Sequence, residues 1–238
     1  MKIMTKMQNK SCAGLRTVLV AAALTMLQSL AAQTDGTQIS GIVSNVEKAF
    51  VTMPDQYYMT LTQEMRILMV DRLRKGEEPK VRNHFGGDSR IDSIDQQNDW
   101  MRIRNSENGA LEIKVLQTQG KPSAIFLVFT ACAPACSSHT GVFTLDWRLL
   151  PSSVLSNVSI NDFLDMDKIK EDGKKEEYVT SLLDLQLVDF SFAGDHNTLK
   201  ATLNSEKELS QEDRDKVAPY IKTRQITFVW DGTSFVRQ

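Results

Sequence analysis

The sequence predicts an α+β fold: N-terminal helices packed on an antiparallel β-meander, with a second strand-rich region after a charged connection. Three observations predict it. Apolar residues recur at helical spacing between about residues 42 and 74. From about residue 100 they alternate with polar ones, the period of half-buried strands. A charge-dense stretch, Asp165–Glu177, then divides two strand-rich regions. Helices that precede strands, rather than alternate with them, indicate α+β and not a parallel α/β sheet.

The elements follow in order. Ile42, Val43, Val46, Ala49 and Phe50 lie on one helical face, and Pro54 ends that helix because proline lacks the N–H a helix needs. A second helix is predicted over Leu61–Arg74, capped by Thr60 with Gln63. Met65, Leu68, Met69 and Leu73 form its apolar face, and Gly76 and Pro79 lie past its end. Gly86-Gly87-Asp88 marks a turn. Trp100–Arg104 and Leu111–Gln117 alternate as strands about an Asn108-Gly109 hairpin turn. Ala124–Thr130 is nearly all apolar and reads as a central strand, with Gly141–Trp147 as its partner. Asp165–Glu177 reads as a solvated loop or exposed helix. Leu183–Phe192 and Thr198–Leu203 are strand-like, and Ser210 with Asp213 caps a short helix ending near Pro219. Gln225–Trp230, an Asp231-Gly232 turn and Ser234–Val236 form a closing hairpin.

Residues 1–33 have the order of a signal peptide. Lys2, Lys6, Lys10 and Arg16 are followed by an apolar run from Leu15 to Leu30 and by the small residues of Ser29-Leu30-Ala31-Ala32. The run is shorter and more interrupted than the about 20 apolar residues a spanning helix needs. We therefore expect residues 34–238 to be an exported chain, a single α+β domain with the option of two subdomains divided near 151–178. The whole sequence has 28 basic and 30 acidic residues. Four of the basic ones and none of the acidic ones lie in the leader, which leaves 24 against 30, a net charge of −6. That acidic balance, without a clustered basic face, argues against nucleic acid as a partner.

Removal of the leader also removes Cys12 and leaves the pair Cys132 and Cys136, in Cys-Ala-Pro-Ala-Cys. On one straight strand their Cα atoms would lie about 13 Å apart, at roughly 3.3 Å per residue. A disulfide needs them within about 7 Å, so the bond requires a turn at Ala-Pro-Ala. We read the pair as a staple across a hairpin loop that presents Ala133–Ala135 as a rigid tip. The alternative is a redox pair, although such pairs usually have two intervening residues and open a helix. Cys132, Cys136 and His139 offer three zinc ligands where a structural site wants four. Asp88, Asp92, Asp95 and Asp99 would share one face if helical, a row that a hard cation such as calcium could use; the alternative is a solvated face partly neutralised by Arg90 and Arg102. Asp165 and Asp167 fail as a calcium loop because Ile169 and Lys170 occupy a ligand and the glycine position. The histidines, His84, His139 and His196, are well separated, and no hydrolase, phosphate-loop or dinucleotide motif is present. We expect no metal and no cofactor. Trp100, Trp147 and Trp230 all fall on expected strands.

Five segments carry a resemblance: Ala49-Phe50-Val51-Thr52-Met53-Pro54-Asp55, Arg66–Leu73, Phe85-Gly86-Gly87-Asp88-Ser89, Cys132–Cys136 and Leu145-Asp146-Trp147. In this order they resemble an uncharacterised exported domain-of-unknown-function family of Bacteroidales-type bacteria, and the likeness covers most of residues 34–238. The resemblance implies a two-membrane cell, hence the periplasm or outer surface of a Gram-negative-type bacterium. It brings no activity. The function expected is a non-catalytic binding or scaffolding module of the cell envelope, with an envelope protein or glycan as partner. The alternative is an envelope enzyme, most simply a thiol–disulfide protein using Cys132 and Cys136.

Overall fold

The computed structural model describes residues 44–151, 154–183 and 185–238. These belong to one compact unit, Ile42–Gln238. The expected leader, residues 34–43 and with them Ile42 and Val43, lie outside the described residues. Among the described residues no helix is long and apolar enough to cross a membrane.

The first helix, α1, spans Asn45–Thr52. Ser44 and Glu47 form a capping box that satisfies two amides left open at its first turn. Val46, Ala49, Phe50 and Val51 are buried, and the chain leaves the helix at Met53, before Pro54. The second helix, α2, spans Gln63–Arg74. Its cap is Thr62, whose hydroxyl accepts from the Met65 N–H, and not Thr60. The expected apolar face also needs correction. Met69 and Val70 are buried, but Leu68 is exposed and the charged Arg66 is fully buried. The helix is turned so that Arg66 reaches backbone carbonyls beneath it.

Six strands follow as an antiparallel meander in sequence order: β1 (Lys80–Arg82), β2 (Asp88–Asp95), β3 (Trp100–Ser106), β4 (Gly109–Thr118), β5 (Lys121–Cys132) and β6 (Cys136–Phe143). The β3–β4 loop is Glu107-Asn108, one residue earlier than the expected Asn108-Gly109. Gln119 and Gly120, between β4 and β5, both hold positive φ, which a two-residue hairpin turn requires. The fourth expected strand is shifted. It begins at Cys136 and stops at Phe143, so residues 144–147 are not strand. Trp147 lies in the following turn with φ 64° and donates from Nε1 to the Thr52 hydroxyl.

A second antiparallel sheet has the order β10-β9-β8-β7, from β7 (Val188–Phe192), β8 (Thr198–Leu203), β9 (Gln225–Trp230) and β10 (Phe235–Arg237). The charged connection forms two short helices, α3 (Met166–Glu171) and α4 (Glu176–Leu182). A further helix, α5 (Gln211–Val217), is capped by Ser210, whose hydroxyl accepts from the Asp213 N–H. The fold is thus mixed α+β with two antiparallel sheets.

Both faces of the six-stranded sheet are covered. The odd-numbered positions Met101, Ile103, Leu111, Ile113 and Leu127 are all buried, and α1 packs against β3 and β4. The opposite face, with Trp100, Leu116, Phe126 and Val128, joins one apolar cluster with Leu199, Ala201, Phe228 and Phe235 of the second sheet. The polar-looking positions of β4 are therefore not solvated. Glu112 and Lys114 project from the same face as Leu116, and both are at most 5% exposed.

Candidate functional site

The β5–β6 hairpin and the neighbouring edge of the second sheet form the candidate site. At the hairpin tip, Cys132 and Cys136 are direct cross-strand partners with Cα atoms 3.9 Å apart and sulfurs at disulfide distance. The Ala133 N–H donates to the Ala135 carbonyl at 3.0 Å and closes the loop. Sequence reasoning expected Ala133–Ala135 to be presented as a tip. Ala133 and Pro134 are exposed, but Ala135 is buried and its N–H donates to the Glu208 carboxylate at 2.8 Å. Asn204 Nδ2 donates to the Cys136 carbonyl, also at 2.8 Å. The tip is thereby held to the 3₁₀ turn Ser205–Glu208, which follows β8.

Beyond the tip, β6 is the edge of its sheet and β7 the edge of the other. They are joined through the Ser138 hydroxyl rather than by a ladder. Ser138 Oγ donates to Asp189 at 2.6 Å, accepts from the Phe190 N–H at 3.0 Å and lies 2.8 Å from the Thr130 hydroxyl. The edge polarity of β6 follows from its far end. The Leu150 N–H donates to the Val142 carbonyl, and the Thr144 N–H to the Arg148 carbonyl. Even-numbered residues of β6 therefore turn their N–H and C=O groups outward, since these alternate along a strand. Ser138 and Thr140 share that direction, and their outward main-chain groups have no backbone partner among the described residues. A groove of about 410 Å³ adjoins them, lined by Ser138, Thr140, Asn157, Gln186, Val188 and Phe190. Exposed His139 also contributes to its wall.

The other residues singled out in sequence are dispersed. Asp88 pairs with Lys80, and Asp92 with Arg90 and Arg104. Asp95 accepts turn amides of Gln97 and Asn98, while Asp99 accepts from Asn45 and Gln117. The first three lie on or at the end of a strand, not a helix, so the row does not share one helical face. Arg102 pairs with Glu112 instead of neutralising that row. His196 stacks on Trp100, with ring centroids 3.9 Å apart. His84, His139 and His196 stand on separate elements, and among the described residues none hydrogen-bonds to a serine or threonine hydroxyl.

The polar groups that sequence reasoning missed are Glu112, Lys114 and Ser138. Glu112 accepts from Trp100 Nε1 at 3.0 Å, Arg102 at 2.6 Å and the Phe192 N–H at 3.2 Å. Burial raises its pKa above the ordinary carboxylate range despite these donors. Burial lowers the pKa of Lys114. Alternation alone cannot reveal such groups, because a polar strand face looks the same whether water or a second sheet covers it.

A protein-family model described as "Protein of unknown function (DUF3256)" matches residues 39–235. Among solved structures, a domain of an uncharacterized protein from Porphyromonas gingivalis W83 is similar in fold. It has a TM-score of 0.69 and 20% sequence identity, covering 83% of this chain and 99% of that one. No curated protein matches this chain.

Proposed function

We propose that this chain, which belongs to the DUF3256 family of proteins of unknown function, acts in the cell envelope as a non-catalytic binding module for an extended polypeptide segment. The observation that carries this reading is the free main-chain edge at Ser138 and Thr140, facing a groove whose other wall includes the edge strand β7. Unpaired N–H and C=O groups at strand spacing are what an added strand recognises, and flanking pockets then select its side chains. The polypeptide partner follows from that edge, since a glycan has no backbone to continue the ladder.

Thr140→Pro tests this. Proline is tolerated on an edge strand whose N–H faces outward, so the variant is expected to fold with unchanged circular dichroism. Photo-crosslinking from position 139 in intact cells should trap a discrete polypeptide with the wild-type edge and lose it with Thr140→Pro. In the isolated complex, the Ser138 and Thr140 amides should gain protection from hydrogen exchange. Only monomer, under conditions that trap other envelope complexes, or a partner that binds Thr140→Pro unchanged, sinks the reading.

The same reading makes the cysteine pair a staple. Its sulfurs meet across two strands, whereas a redox-active thiol is typically activated at a helix N-terminus. Closing so short a loop restricts the unfolded chain by about 2 kcal/mol in the loop-entropy estimate. Cys132→Ser with Cys136→Ser should therefore lower the urea unfolding free energy by about 2 kcal/mol and leave the fold intact, because Glu208 and Asn204 still hold the loop. A reduction potential well above about −300 mV, with an activity lost in Cys132→Ser alone, would replace the staple by the redox enzyme.

A further inference from the structure

A second, smaller cavity of about 220 Å³ lies away from the hairpin edge, where the β2–β3 turn, β4, the β7–β8 turn and the end of β9 meet. Its walls are mostly polar: Gln97, Asn98, Gln117, Asn197 and Lys114 line it together with Leu116 and Trp230. We propose that this cavity is a binding site for one sugar ring, as a saccharide or as the end residue of a glycan.

The donors and acceptors at the walls decide the ligand class. Lys114 is only 5% exposed. Its Nζ donates to the Asn98 carbonyl and to Asn197 Oδ1, which uses two of its three N–H groups and leaves one. Asn98 Nδ2 is held by Asp95, and Gln117 Nε2 by Asp99, so among the described residues Asn98 Oδ1 and Gln117 Oε1 remain as free acceptors. The Gln97 side-chain amide is free at both atoms among the described residues. The Trp230 ring is fixed by its Nε1, which donates to the Gln117 carbonyl at 2.7 Å.

The walls thus offer both donors and acceptors beside an indole. A sugar hydroxyl both donates and accepts, and the C–H face of a pyranose suits an aromatic ring. Charge disfavours ions. Asp95, Asp99 and Asp195 lie near enough to Lys114 to act on its charge, so an anion beside the ammonium would also feel three carboxylates. A metal cation would meet the ammonium. The walls are also held in place. Asp99 and His196, each next to a wall asparagine, hold positive φ of 50° and 51°, a conformation a non-glycine residue keeps only where surrounding contacts enforce it. For His196 that contact is its stacking on Trp100.

The test is a titration of residues 34–238 against glucose, galactose, mannose and N-acetylglucosamine. It is read by saturation-transfer NMR and calorimetry, with inorganic phosphate and acetate as controls. At least one sugar should bind saturably at up to millimolar concentration, and the two anions should not. Gln97→Ala is an exposed change that leaves the fold intact, and it should weaken that binding several-fold. Lys114→Met should weaken it about tenfold, the cost of losing a hydrogen bond from a charged group, with its folding checked by thermal melt. An oligosaccharide ending in the same sugar separates the two sources. Equal or tighter binding identifies a glycan end, and exclusion identifies a free sugar. No sugar bound, binding of phosphate in its place, or sugar binding unchanged in Gln97→Ala and in a folded Lys114→Met overturns the proposal. None of these results bears on the hairpin edge, which shares no wall with this cavity.

Discussion

Arg66→Met is expected to lower the unfolding free energy by about 3 kcal/mol, among the largest effects of any single substitution in the N-terminal helices. The guanidinium is fully buried. One of its terminal nitrogens donates to the Leu61 carbonyl at 2.5 Å, and the other donates to the Met53 carbonyl and lies 2.9 Å from Asp55. These contacts gather the whole connection between α1 and α2 onto one side chain. Methionine fills much of the volume but offers no donor, so two carbonyls lose their partner. Each buried polar group left unsatisfied costs about 1–3 kcal/mol, partly offset by the more apolar side chain. The ion pair is the smaller part of the effect. Asp55 is 54% exposed, and a pair that solvent reaches contributes about 0–1 kcal/mol. Asp55→Asn should therefore cost less than about 1 kcal/mol. Arg66→Lys should fall between the two, because a single ammonium cannot span both carbonyls as the planar fork does. Urea unfolding of the three variants checks the order. Equal losses for Asp55→Asn and Arg66→Met would place the energy in the ion pair instead.

That arginine also marks where the sequence stops being legible. The two helices, the central strands and the closing hairpin follow from periodicity and turn residues, and α5 was readable to its capping serine. Strands β1 and β2 were not. Lys80–Arg82 is too short to show a period. In Asp88–Asp95 the acidic residues obscure an alternation further broken by a register shift between Ile91 and Ser93. The apolar face of α2 was misread because Arg66 looks like a surface residue until the carbonyls of residues 53 and 61 are brought to it by folding. The candidate site was legible only at its tip, where two cysteines and a proline announce a turn. The groove beside it depends on which strand edges remain unpaired, and its cysteine tip is covered on one side by Glu208, more than seventy residues away in sequence. No local pattern encodes either fact.

Glu112→Leu is expected to cost about 3 kcal/mol, because it removes the acceptor through which the two sheets share a hydrogen-bond network. Trp100 Nε1 and the Phe192 N–H would both be buried without a partner, and Arg102 would lose its carboxylate. Glu112→Gln keeps the shape and one acceptor oxygen, and should cost less. The two variants also separate packing from charge through pH. Burial holds the folded pKa of Glu112 above its unfolded value, so in the interval between the two values the folded state binds more protons than the unfolded one. Stability contributed by this group therefore falls as pH rises through that interval and is constant above it. Glu47, Asp92 and Asp162 act in the opposite sense. Burial alone would raise each, but hydrogen bonds from Arg74 and Ser44, from Arg90 and Arg104, and from Ser159 and Arg237 lower them. Their stability is present above the unfolded pKa and is lost as pH falls through the folded one. The protein as a whole should lose stability in acid, yet the difference between wild type and Glu112→Gln should move in favour of wild type as pH falls from neutral toward the ordinary carboxylate range. Glutamine mimics the protonated acid and has nothing to gain there. Paired urea unfolding curves across that range read the sign directly, and a difference that is flat with pH, or moves in favour of glutamine, would mean that Arg102 and the two N–H donors outweigh burial at this carboxylate.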